Sequence, residues 1–283
     1  MARVFYLIKA VVVILIPTIL MNVVGKKAIE DIIESPAIVV DSNIESINYK
    51  INLVKQQPDF DQKILTVAES FGGTPYNSNV LKDDSLTTRI DSLDCWTFVE
   101  NTIAIALAST TQQGDYDLYK QILIRVRYRN GINKGYGSRI HYFLEWKQNL
   151  EKRQVASDYS EYLGGVGMQK KLSYISNHAP DSLKNYLRII EKNLSADGFY
   201  YIPPSNIDDS KMIDGDIIAF VTSKPQLDVE HMGIIKKING VSHIIHASTA
   251  SGICISAPLK EYMERNKTQL GIILVRVYKS NLK

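Results

Sequence analysis

The chain has 283 residues, of which 45% are hydrophobic and 22% charged, with a formal net charge of +3. That balance fits an ordinary globular protein with a sizeable core, and the small charge, with no basic stripe interleaved with aromatics, argues against nucleic acid as a partner. The two cysteines, Cys95 and Cys254, lie far apart and form neither a CxxC pair nor a zinc knuckle. Sixteen tyrosines suit carbohydrate or peptide contact, and equally a plain α+β core.

The N-terminus has the layout of an export signal. Arg3 and Lys9 precede an uncharged run from Ala10 to Met21, and Lys26 and Lys27 follow. A membrane anchor is the other reading, because residues 4–24 give about 20 residues if Lys9 snorkels. Residues 1–25 hold two basic and no acidic residues, so their removal leaves +3 − 2 = +1. Residues 26–58 read as a linker and a first helix, and residues 59–283 as one catalytic domain.

The first helix starts near Ser42, where Ser42 and Glu45 form a capping box and Ile44, Ile47, Ile51 and Val54 keep helical spacing. Pro58 ends that region. Phe60, Ile64, Val67, Ala68 and Phe71 mark a second helix, stopped by Gly72-Gly73. Thr74-Pro75-Tyr76 is a turn leading into a polar loop. A central helix is expected from Asp94 to Ser109, with Asp94 as its cap and Phe98, Val99, Ile103, Ala106 and Leu107 as a core-facing stripe. Another helix spans Asp115 to Tyr128. A short one is expected from Ser138 to Asn149, and another over Asp181–Leu194. Gly164-Gly165-Val166-Gly167 reads as a loop. From Tyr200 onward the pattern turns to strands: Ile217 to Val221, then Met232 to Ile238 and Val241 to Ala247 around Asn239-Gly240, and finally Leu270 to Tyr278. Helices first and antiparallel strands later make an α+β architecture.

Cys95 falls in the first turn of the central helix, where free N–H groups and the helix dipole favour a thiolate. Core filling is the competing reading, since free cysteine is among the most buried residue types. The hairpin places two of the five histidines. With Asn239-Gly240 as a two-residue turn, Ile238 pairs with Val241, Gly233 with His246, and His231 with Ser248. His231 and His246 then share one face as diagonal neighbours, and Gly233 leaves room for an imidazole. A helix-start cysteine with two histidines on one face is a nucleophile, base and orienter set. Spacing leaves open which histidine plays which part. It also leaves a zinc site of Cys95, His231 and His246 as the metal alternative, although no ligand pair sits at helical i, i+4 spacing.

Asp94-Cys95, His231-Met232-Gly233-Ile234 and Ile245-His246-Ala247-Ser248 resemble, in order and spacing, the NlpC/P60 cysteine peptidases of bacterial cell walls. Gly73-Thr74-Pro75-Tyr76, the stretch from Leu93 to Asn101, Arg127 to Gly131, Ser138 to Phe143, Gly215 to Ile218 and Leu227 to Ile234 resemble the signatures of its DUF1460, N-acetylmuramoyl-L-alanine amidase-like branch. Trp96 and Met232 are mild departures. The resemblance spans about residues 60–277. It implies a papain-like fold with the nucleophile helix packed on an antiparallel sheet, and no cofactor. It also implies hydrolysis of the amide between N-acetylmuramic acid and L-alanine in peptidoglycan fragments, in the periplasm or at the periplasmic face of the inner membrane. An endopeptidase cutting between D-glutamate and the diamino acid is the alternative within the superfamily. A peptidoglycan-binding protein without catalysis is the alternative outside it. The catalytic set is Cys95, His231 and His246. Tyr76 is expected near the nucleophile or as a packed aromatic, Arg139 on a substrate carboxylate or paired with a structural acid, His141 in the cleft, Asp228 orienting His231 or capping the strand, and Glu100 as a supporting acceptor on the substrate side. Cys254 is expected to be a buried hydrophobe.

Overall fold

The computed structural model describes residues 42–81 and 86–279. The apolar N-terminal run lies outside these residues. Among the described ones, no helix is long and apolar enough to cross a membrane.

Helix α1 (Ser42–Val54) buries Ile47, Ile51 and Val54, the residues its spacing selects. Helix α2 (Phe60–Glu69) buries Ile64, Val67 and Ala68. Both pack on α3 (Cys95–Ala108), in one core cluster with it. The described residues form one compact unit, in which α1 buries its stripe against the helices that follow. Residues Thr97 to Ala108 of α3 are all buried, on every side of the helix and not on a stripe. Helices cover one flank and the sheet the other, which is the setting of a helix that is apolar all round. Helix α4 (Tyr116–Arg127) follows, capped by Asp115, whose carboxylate accepts from the Leu118 N–H.

The next helix, α5 (Phe143–Lys152), begins later than residue 138. Arg139 to Tyr142 are extended, because Tyr128 pairs with Arg139 and the Ile140 N–H donates to the Arg127 carbonyl at 2.9 Å. The stretch after α5 holds strands β1 (Ala156–Asp158) and β2 (Val166–Met168), and helices α6 (Tyr174–His178) and α7 (Asp181–Asp197). The glycine-rich segment expected as a loop supplies β2, which pairs with β3 (Phe199–Tyr201) in a two-stranded ribbon.

The main sheet adds β4 (Ile217–Thr222), β5 (Val229–Ile238), β6 (Val241–Ser248), β7 (Gly252–Ile255) and, after helix α8 (Leu259–Arg265), β8 (Gln269–Val277). It is antiparallel, in the order β1-β8-β4-β5-β6-β7. Alternation divides its side chains. Ile217, Ala219, Met232, Ile234, Ile245 and Ala247 join the helices in one core. Ile218, Phe220, Ile235, Ile244 and Leu274 join Leu259 and Met263 of α8 in a second core on the opposite face. Met232 and Ala247 on the helix side, and His231 and His246 between them on the other, follow from that period of two.

Candidate active site

Cys95 opens α3 because Asp94 caps it. The Asp94 carboxylate accepts from the Thr97 N–H at 2.7 Å, and the Thr97 hydroxyl accepts from the Asp94 N–H at 3.1 Å, a reciprocal capping box. The approach to that cap is fixed from two sides. Leu93 N–H donates to the Pro75 carbonyl, and Asn77 N–H to the Leu93 carbonyl, at 3.0 and 3.1 Å. The same loop is bonded to edge strand β7 through Gly73 N–H to the Ile253 carbonyl and Ile253 N–H to the Thr74 carbonyl. Gly252 sits against this contact. A Cβ there would lie 2.3 Å from the Thr74 carbonyl oxygen, and its φ of +66° suits glycine. Tyr76 is thus held beside the start of α3, where it bridges to Leu93. Burial raises its hydroxyl pKa, and negative charge on Cys95 and Asp94 adds to the effect, so it stays protonated.

The hairpin register holds up to Gly233 opposite His246, and the β5–β6 ladder stops there. His231 does not pair with Ser248, as a continued ladder would require. Two distortions account for this. Glu230 is an extra residue in β5, since Phe220 pairs with His231 but Val221 with Val229. On the other strand, Ser248 already belongs to the tight turn that pairs it with Gly252. The opening matters for the nucleophile. The Met232 N–H hydrogen-bonds the Cys95 sulfur, as do the N–H groups of Cys95 itself and Trp96. The amide joining His231 to Met232 therefore touches Cys95, which brings the start of α3 against the end of β5 that carries His231.

The two histidines meet directly, with His231 Nε2 and His246 Nδ1 2.8 Å apart and their rings nearly perpendicular. Phe220 stacks on His231, and Tyr262 of α8 meets His246 edge-on. Gly233 makes room for the pair: a Cβ there would lie 2.8 Å from the Ile245 carbonyl oxygen and 3.2 Å from His246 Cβ. This geometry does not suit the zinc alternative, because the two nitrogens are spent on each other. Among the described residues no group of three or more His, Cys, Asp or Glu is placed to hold a metal.

Each group is neutral at rest. Burial, with Asp94 beside it, pushes the Cys95 thiol up to about 12, against the pull of the three amides. Burial and the like charge of His246 lower His231 to about 4, and burial alone lowers His246 to about 4. Desolvation disfavours each charge singly.

At the start of α3 lies a cleft of about 240 Å³ lined by Ser78, Leu81, Asp94, Trp96, Arg139, Ile140 and His141. Arg139 and His141 face it together because their segment is extended, where i and i+2 share a side. Arg139 Nη1 donates to the Leu81 carbonyl at 3.0 Å, and His141 Nε2 lies 3.0 Å from the Tyr136 carbonyl. Burial and then Arg139 lower His141 to about 3. Of the expected site residues only Arg139 and His141 line this cleft, and Glu100 and Asp228 are buried away from it. Glu100 is completely buried; it accepts from Trp96 Nε1–H at 2.9 Å and from Arg127 Nε–H at 2.7 Å. It thereby fixes the indole that forms the cleft wall. Asp228 does not orient His231. It is buried and accepts from the Leu144 and Val229 N–H groups, because it lies at the bend before β5, against the start of α5. Trp96 and Tyr262 went unread as site residues. Trp96 carried a signal, as the residue after the nucleophile, whereas Tyr262 becomes visible only once α8 is folded over the sheet.

A family model described as N-acetylmuramoyl-L-alanine amidase-like, AmiA-like, matches residues 66–272. The chain belongs to this AmiA-like amidase family. Among solved structures it is similar to an N-acetylmuramoyl-L-alanine amidase from Bacteroides uniformis, with 28% identity and a TM-score of 0.73 over 78% of this chain and 99% of that one. A Bacteroides fragilis protein named as a xylanase gives 31% identity and a TM-score of 0.69 over 74% and 99%. A Legionella pneumophila protein of the DUF1460 family gives 20% identity and a TM-score of 0.66 over 89% and 97%, a likeness of fold. No curated protein matches the chain. The residues just described, from Gly73 to Tyr262, lie inside the AmiA-like match.

Proposed function

We propose that the protein is a cysteine-dependent N-acetylmuramoyl-L-alanine amidase of the NlpC/P60 type, with Cys95 as nucleophile, His231 as base and His246 as orienter. The observation that carries this reading is the joint engagement of the His231–Met232 peptide unit. Its N–H holds the Cys95 sulfur, and its imidazole holds His246 at 2.8 Å. Because His231 Nε2 is bonded to His246, Nδ1 is the nitrogen left for the thiol.

The steps follow from that arrangement. Cys95 gives its proton to His231 Nδ1 as the sulfur attacks the lactyl carbonyl carbon of the muramic acid. N–H groups at the start of α3 and the Tyr76 hydroxyl face the oxygen that becomes negative. The C–N bond breaks, His231 protonates the departing L-alanine amine, and a thioester remains. Water, deprotonated by His231, then hydrolyses the thioester and frees the thiol. Arg139, always charged, suits a stem-peptide carboxylate at the cleft. Nothing in these steps needs a cofactor.

Glycoside hydrolysis, the activity in the name of the Bacteroides fragilis relative, calls for two carboxylates facing each other across the bond. Asp94 is engaged as a helix cap, and Glu100 and Asp228 are buried away from the cleft. The apolar segment at residues 4–24 supports export to the periplasm, cleaved or anchored at the inner membrane. Incubation of the wild type and Cys95→Ala with a muramoyl-peptide tests the reading. Appearance of a free L-alanine amine in the wild type alone supports it, and equal rates in both proteins refute it.

A further inference from the structure

We infer that Cys254 is a positioning residue: its sulfur accepts the Nε2–H of His246 and so fixes the tautomer that leaves His231 able to act as a base. The inference rests on the reading of His231 as the general base. Cys254 stands directly opposite His246 on β7, and its Sγ is 3.8 Å from His246 Nε2, within hydrogen-bond reach of sulfur. His246 is itself buried, and its other nitrogen is taken by His231. The imidazole cannot turn away from this contact, because Tyr262 and His231 both meet its ring edge-on, with centroids at 5.3 and 5.0 Å.

Two proton orders satisfy the row of three groups. In the first, His231 carries its proton on Nε2 and donates to His246 Nδ1, and His246 donates from Nε2 to the Cys254 sulfur. His231 Nδ1 is then bare and can accept the Cys95 proton. In the second, Cys254 S–H donates to His246 Nε2, His246 donates from Nδ1, and His231 Nε2 accepts. His231 then holds its proton on Nδ1, where the nucleophile needs a base. Only the first order is competent. Ser248, at the end of β6, favours it. Burial raises the Cys254 thiol, and a hydrogen bond from the Ser248 side chain, whose oxygen also accepts from the Ala250 N–H, opposes that rise. A sulfur receiving a hydroxyl proton is placed as an acceptor toward His246 as well. The edge position of β7 is no obstacle, since Ile253 is bonded through its main chain to the Thr74 loop that leads to Tyr76.

Long-range ¹H–¹⁵N correlation on the full chain at neutral pH reads the tautomers directly. The expected spectrum has His231 and His246 both protonated on Nε2. Cys254→Ala should give His246 as a tautomer mixture, and Cys254→Ser, which keeps an acceptor there, should restore Nε2–H. Carboxymethylation of Cys95, followed on its own peptide by mass spectrometry, should slow about fivefold in the alanine variant, the factor from losing one ordinary hydrogen bond. In turnover the loss should fall on kcat and leave KM unchanged. A wild-type His246 protonated on Nδ1, or an alanine variant unchanged in both tautomer and alkylation, overturns the inference. If the tautomers and alkylation behave as expected but no muramoyl-peptide is hydrolysed, the role of Cys254 stands and the substrate reading falls.

Discussion

At the scale of single residues the site works by withholding charge until it is needed. Cys95 is surrounded by three amides that favour a thiolate, yet burial and Asp94 keep it a thiol. Removing the negative charge without removing the cap separates these effects. In Asp94→Asn the side-chain oxygen still accepts from the Thr97 N–H, while the repulsion of the thiolate is gone. The alkylation profile of Cys95 should therefore move to lower pH, and stability should change by less than about 1 kcal/mol. An upward shift would contradict the placement of Asp94. Cys95→Ala should lower turnover by at least about three orders of magnitude, because the covalent route is lost. Thermal unfolding should change little, since Cys95 stands at the helix start, ahead of the fully buried run from Thr97 to Ala108. The placement of Cys95 at a helix start and of His231 and His246 beside each other on a hairpin was legible in the sequence, because that geometry is local. The surroundings of Glu100 and Asp228 were hidden for the converse reason. Whether a carboxylate faces a cleft or a buried arginine depends on helices far away in sequence, and here Arg127 of α4 and the start of α5 take them.

At the scale of elements, the site depends on where pairing stops. A perfect β5–β6 ladder would give the Met232 N–H to β6; the break after Gly233 gives it to Cys95. The sequence predicted the hairpin and its register near Asn239-Gly240, since turn type sets pairing outward from the turn. It could not predict the end of the ladder, which the Glu230 bulge and the β6–β7 turn decide. The late start of α5 was equally hidden, because the pairing of Tyr128 with Arg139 is a contact between segments. Gly252 offers a test of the loop that carries Tyr76. Gly252→Ala should push the Thr74 carbonyl away from β7 and strain a left-handed backbone, costing about 1–3 kcal/mol. Activity should fall by more than the fraction unfolded explains, because Tyr76 and Leu93 move together. An alanine variant with full activity would show that the loop is not a positioning device.

At the scale of the whole molecule, the buried ionisable groups couple stability to pH. Burial holds His231 and His246 near 4 and His141 near 3, against an ordinary value of 6.5. The unfolded chain therefore takes up protons that the fold refuses, and stability falls as pH drops from about 6.5 toward 4. Asp228 acts in the opposite direction: burial raises it to about 6, so the fold binds its proton more readily than the unfolded chain does. His141→Gln should flatten the acid decline of the melting temperature, and Asp228→Asn should steepen it; reversed slopes would contradict the burial of these groups. The division into a helical layer and a sheet was plain from the order of patterns along the chain. The second core under α8 was not, because it is built from alternate residues of the same strands and a helix of only seven residues.

The most direct measurement is the identity of the products released from an N-acetylmuramoyl tripeptide by the wild-type protein, with Cys95→Ala as control. Free N-acetylmuramic acid and the intact tripeptide with a new L-alanine amine, formed by the wild type and not by the variant, are the predicted result. Release of an N-acetylmuramoyl dipeptide with a free diamino acid, or any products formed equally by Cys95→Ala, would contradict it.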